Sequence, residues 1–219
     1  GGPYSGFAGG TLNDCTNNAK ISIESSSGVD RVGGILGYVS GRTTINGCVN
    51  EGEITRASRG DSMGGLVGMG TASLTIENSH NAAAITIDYN STRSTNYVGG
   101  LVGYGGTTLT ITGSYNEGPV NSVSNYTGGL AGYALDKPTI NDSYNEGDVT
   151  VSGVTNTDYV GGIVGGLGNT YETVTPILEG VHNEGKVSVN SIGTASKYTG
   201  GVAGYIAAGV PDSKDISIK

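Results

Sequence analysis

Polar and apolar residues alternate through Ser73-Leu74-Thr75-Ile76 and Thr108-Leu109-Thr110-Ile111-Thr112, the period of a half-buried β-strand. The same alternation, rich in β-branched residues, returns at Val149-Thr150-Val151 and Val187-Ser188-Val189. A second pattern interrupts it. Val98-Gly99-Gly100-Leu101-Val102-Gly103-Tyr104 is small or apolar at every position except its last, and copies of it begin at Val32, Met63, Thr127, Val160 and Thr199. A worn copy, Ser5 to Gly10, opens the chain. Glycine costs about 1 kcal/mol relative to alanine inside a helix, so this motif excludes helix. It reads as a strand covered on both sides, with glycine letting a neighbouring layer approach.

The second glycine of each copy falls at 6, 34, 65, 100, 129, 162 and 201, at intervals of 28 to 39 residues. Gly34, Gly65, Gly100, Gly129, Gly162 and Gly201 are the structural glycines of the clear copies. A second motif alternates with the first and runs from Ile111 to Val120 in one copy. Its asparagine recurs as Asn17, Asn50, Asn81, Asn116, Asn145 and Asn183. Two motifs alternating at a fixed period mark a stacked repeat protein. The expected fold is all-β: a parallel β-solenoid of about seven coils, two or three strands to a coil, right-handed by the crossover preference of parallel strands. Stacked asparagines would hydrogen-bond along a ladder, satisfying amides that burial otherwise penalises. Tyr38, Tyr104, Tyr133 and Tyr205 would form a second column, broken at Met69 and Gly166.

Nothing in residues 1–219 reads as a linker, and a solenoid grows by adding coils, so a single solenoid domain is expected. The Gly1-Gly2 start and the stop inside a repeat suggest a fragment excised from a longer chain, with flanking domains. The formal charge of −8 with only 11 scattered Lys and Arg lacks the footprint of nucleic-acid binding. No apolar run approaches the ~18 residues of a membrane span, so no membrane insertion is expected of this segment.

The Gly-Gly-Leu-Val-Gly strings resemble the GLUG-motif repeats, named for Gly-Leu-apolar-Gly. These occur in bacterial surface proteins, including adhesin-like proteins and secreted peptidases that cleave immunoglobulin A. The resemblance covers nearly the whole chain from Gly6. It implies an exported bacterial protein, extracellular or at the cell surface. It carries over no peptidase activity, because the chain has no His-Glu-x-x-His motif.

Few residues suggest chemistry. Cys15 and Cys48 share one slot in successive coils, followed there by Ser79, Ser114, Ser143 and Val181. A disulfide fits the usual Cα separation of about 4.4–6.8 Å, but free stacked thiols in a small-residue ladder are the plainer reading. His80 and His182 stand where other coils have Tyr115 and Tyr144, too far apart to share a metal. Glu51, Glu117, Glu146 and Glu184 form a column that could recruit calcium or act as acid and base; like-charge repulsion favours an exposed turn instead. The Gly-Gly-x-x-Gly strings lack the Gly-Lys-Ser/Thr of a phosphate loop. No catalytic, cofactor-binding or metal-binding residue is assigned.

Three functions compete. A surface module would present the polar loops Ala57–Ser62, Asp88–Asn96 and Asn190–Lys197 to a host or matrix protein or glycan, or serve as a stalk. A polysaccharide lyase or glycosidase would need paired carboxylates and the aromatic platforms common at sugar sites, yet the chain has no Trp and one Phe. Ice binding through threonines would need a lattice that the irregular intervals spoil. A spacer beside a secreted peptidase completes the field. The expectation is the non-catalytic, adhesin-like module.

Overall fold

The computed structural model describes residues 9–24, 31–57, 60–87, 97–152, 158–168, 176–190, 197–207 and 217–218. Their regular structure is entirely β. One coil shows the plan, with strands at Leu74–Glu77, His80–Asn81, Ile85–Ile87, Tyr97–Gly99 and Val102–Gly105. Each of the five stacks on its equivalent in the coils above and below, forming sheets 1 to 5 in that order. The pairings are parallel and in register; Leu74 meets Thr43 and Leu109, for example. Sheets 2 to 5 each have six strands and sheet 1 has seven, its last being Ser217–Ile218. The fold is a parallel β-solenoid. Six coils and the start of a seventh stand where about seven were expected, and the worn copy at Ser5 lies largely outside the described residues.

Five strands per coil exceed the expected two or three, and two kinds of corner account for the difference. The first separates sheet 1 from sheet 2. There Asp14, Asn78 and Asp142 adopt φ of 52°, 48° and 45°, while Gly47, Gly113 and Gly180 adopt 64°, 56° and 63°. Only glycine and short Asx residues enter this left-handed region readily, so the alternation of Asp, Asn and Gly at one slot is a backbone requirement. The second corner lies inside the glycine motif. Gly-Gly-Leu-Val-Gly is not one strand: Tyr97–Gly99 ends, Gly100 and Leu101 turn, and Val102–Gly105 begins. Sheets 4 and 5 then pack backbone against backbone. A Cβ on Gly99 would sit 2.1 Å from the Val102 carbonyl oxygen, and one on Gly103 would sit 2.7 Å from the Met63 nitrogen of a neighbouring coil.

Alternation in sheet 1 sends Leu74 and Ile76 inward and leaves Thr75 and Glu77 partly exposed. Stacking gives a fully buried column of Ile45, Ile76, Ile111, Ile140 and Leu178. With Leu66, Leu101, Leu130 and Ile163 from the glycine corners it forms the larger core. A second core lies between sheets 3 and 4, around Ile54, Met63, Ile85, Val98 and Val120.

Coil length varies at defined places. In all six coils two residues link sheets 1 and 2, three link sheets 2 and 3, and two link sheets 4 and 5. The link from sheet 3 to sheet 4 runs from 3 to 9 residues, and that from sheet 5 to sheet 1 from 3 to 10. Insertion thus enters at two edges. The second was hidden because only the last two coils lengthen there.

Candidate functional site

The asparagine slot occupies sheet 2 with its side chain inward. Asn50, Asn81, Asn116 and Asn145 are fully buried. Each amide nitrogen donates twice. Asn81 Nδ2 donates to Asn116 Oδ1 of the next coil at 2.7 Å and to the Ala83 carbonyl at 2.8 Å. The run is continuous from Asn17 through Asn50, Asn81, Asn116 and Asn145 to Asn183, at 2.7 to 2.8 Å between amides. Double donation leaves little amide capacity for a ligand.

The glycine corner rests on this ladder. A Cβ at Gly100 would meet the Gly129 carbonyl oxygen at 2.0 Å and Asn116 Cγ at 2.4 Å. Gly34, Gly65, Gly129 and Gly162 are equally tight against Asn50, Asn81, Asn145 and Asn183, whereas Gly201 has nothing within 4 Å. The two sequence motifs are two sides of one contact.

The cysteine slot forms another ladder. The amide of Cys15 donates to Cys48 Sγ at 3.4 Å, that of Cys48 to Ser79 Oγ at 3.0 Å, and those of Ser79 and Ser114 to Ser114 and Ser143 Oγ at 3.1 Å. Both cysteines are free. Burial raises the Cys48 thiol above its usual range, with smaller contributions from its contacts with Cys15 and Asn46. A thiol shifted in this direction is a weaker nucleophile than an exposed one.

Outside sheet 2 the rings of His80, Tyr115, Tyr144 and His182 stack face to face, with centroids 4.6 to 4.9 Å apart and planes within 10°. The histidines therefore sit at the two ends of one stack. Glu117, Glu146 and Glu184 form an exposed row beside it. Desolvation first, and then these carboxylates, raise the hydroxyls of Tyr115 and Tyr144 above the usual tyrosine value.

A larger tyrosine band covers sheets 4 and 5. The expected column runs Tyr38, Met69, Tyr104, Tyr133, Gly166, Tyr205. A second column, Tyr97, Tyr126, Tyr159, Tyr198, lies on sheet 4. The second column bridges the interruption at Gly166: Tyr159 reaches Tyr205 at 4.9 Å, and a Cβ on Gly166 would strike Tyr133 and Tyr126 below 3.0 Å. Burial, then neighbouring tyrosines, pushes Tyr133 up to about 12 and Tyr126 higher still. In the sequence the sheet 4 column is the tyrosine that immediately precedes four of the glycine motifs.

The loops singled out in the sequence connect sheets 3 and 4 in chain order. Residues 58–59, 88–96 and 191–196 lie outside the described residues; Asp61 is described, and its carboxylate is 3.9 Å from the Arg31 guanidinium. Among the described residues no three His, Cys, Asp or Glu side chains gather as metal ligands, and no helix is long and apolar enough to cross a membrane. An open cavity of about 300 Å³ at the first coil is lined by Leu12, Leu36, Tyr38 and Val39 and is continuous with the larger core.

Fold and ladders together define a repeat module of the β-solenoid class. Residues 123–150 match the family model of the GLUG motif. That stretch holds one glycine corner, Gly128 to Gly132, and the asparagine slot Asn145 that follows it. No curated protein and no solved structure matches the chain.

Proposed function

We propose that the chain is a non-catalytic module of an exported bacterial protein, displayed at the cell surface or secreted, whose stiff solenoid presents loops to a host or matrix protein or glycan. The observation that carries this reading is the distribution of coil length. Three of the five links have the same length in all six coils, while the link between sheets 3 and 4 ranges from 3 to 9 residues and that between sheets 5 and 1 from 3 to 10. A scaffold of constant links with its length variation confined to two edges is the arrangement on which binding loops are carried. The inward polar side chains support the non-catalytic part, since asparagine and serine are committed to ladders.

An array of glycans and matrix proteins probed with the purified chain, with calcium and with chelator, tests it. Saturable binding to one ligand class, abolished when residues 88–96 are replaced by the short Val123-Ser124-Asn125 link, is the expected result. Binding that survives replacement of all the sheet 3 to sheet 4 links would remove the loop assignment. Silence across the array from a folded chain would leave the stalk role.

A further inference from the structure

Among the described residues nothing packs on the outer face of sheet 2, and that face is strongly acidic. Six segments form it with its flanking links, 14–20, 47–53, 78–84, 113–119, 142–148 and 180–186. Together they hold eight of the 19 acidic residues and two of the 11 basic ones, a net −6 of the chain's formal −8. The remaining residues carry eleven acids and nine bases, a net of only −2. Of the two bases on the strip, Lys20 already pairs with Glu53 at 3.0 Å. Down the middle runs the ring stack from His80 to His182, flanked by the row Glu117, Glu146, Glu184.

We propose that this face is a docking surface for a lysine-rich polypeptide segment lying along the solenoid axis. Charge complementarity names the partner as a polycation. The rings name its side chain. Their faces are taken up by stacking, so a guanidinium cannot lie flat on them except at the two ends. Their edges form a continuous strip, half-buried from His80 to Tyr144 and exposed at His182, on which a four-carbon lysine stem can rest while its ammonium reaches the carboxylate row. Irregularity names its flexibility. The carboxylates recur at coil spacing, about 4.8 Å, but the coils contribute unequally, with Asp142, Glu146 and Asp148 in one and Glu117 alone in the coil before it. A rigid amino-sugar polymer needs an even row, whereas lysines on a flexible chain do not. This surface is separate from the loops between sheets 3 and 4, so the two readings stand or fall independently.

The test is fluorescence anisotropy of a labelled oligolysine peptide titrated with the 219-residue chain. Three variants are compared: E117Q/E146Q/E184Q, the charge-matched control E24Q/D61N/D136N, and Y115S/Y144S, each verified as folded by circular dichroism. Expected are saturable binding that weakens steeply with salt, about tenfold loss in the first variant against less than about twofold in the control, and a measurable loss in the ring variant. Equal losses in the first variant and the control would reduce the effect to net charge and overturn the proposal. So would absence of saturable binding, or tighter binding of a glucosamine oligomer than of oligolysine. Because the glutamates are exposed, the first variant keeps its fold and the comparison remains decisive even if the ring variant unfolds.

Discussion

Asn116 shows how much one side chain carries in this fold. Replacing it by alanine removes the acceptor for Asn81 Nδ2 and the donor to Asn145 Oδ1 and the Gly118 carbonyl, all in a buried place. Orphaned buried polar groups cost about 1–3 kcal/mol each, so Asn116→Ala is expected to destabilise by about 3 kcal/mol or more in urea unfolding. Cys48→Ser should behave in the opposite way. Serine fills the same slot in the next three coils, accepting one amide and donating back to the carbonyl two residues before it. An unfolding midpoint within about 0.5 kcal/mol of the parent, the range of benign substitutions, is expected. Tyr133 supplies a pH dependence. Its folded value, about 12, lies above the ordinary value of 10, so its contribution is complete below pH 10 and is lost as the pH rises toward 12. Urea midpoints followed across that window, with tyrosinate absorbance recorded alongside, should fall; a flat profile would contradict the burial of the ring.

Between elements, the decisive contact is the glycine corner against the asparagine ladder. Gly100→Ala must displace the Gly129 carbonyl and Asn116 together, and neither is a free end. Overpacking of this kind costs about 3 kcal/mol or more when backbone is the obstacle. Gly201→Ala, at the same motif position of the last coil, meets nothing within 4 Å in the 219-residue chain and is expected to be nearly neutral in that chain. Thermal unfolding of the pair tests the contact with chemistry held constant. The same contact explains what could be read in advance. Apolar periodicity at Leu74 and Ile76 and the recurrence of Asn116 and its equivalents were enough for the parallel stack, because a ladder repeats its own residue type. The corners were not legible. Gly100 and Leu101 look like strand when judged by composition, and only the approach of Gly99 to the Val102 carbonyl shows the chain turning back on itself. The slot of Asp14, Gly47 and Asn78 held its signal in plain view, but as a positive φ and not as a hydrophobic pattern. The acidic strip on sheet 2 was likewise invisible to net charge, which sums over faces that only folding separates.

Across the whole molecule the ladders share a sense. Each asparagine amide donates toward the coil that follows it in sequence, and in the cysteine–serine slot each backbone N–H does the same. Coil order can therefore be permuted, since any coil offers the same acceptor below and donor above, but no coil can be inverted. Six side-chain amides pointing head to tail also add their dipoles along one line. The solenoid is a vector as well as a rod: its two ends differ electrically even where their charged residues are alike, and anything built from such coils inherits that direction.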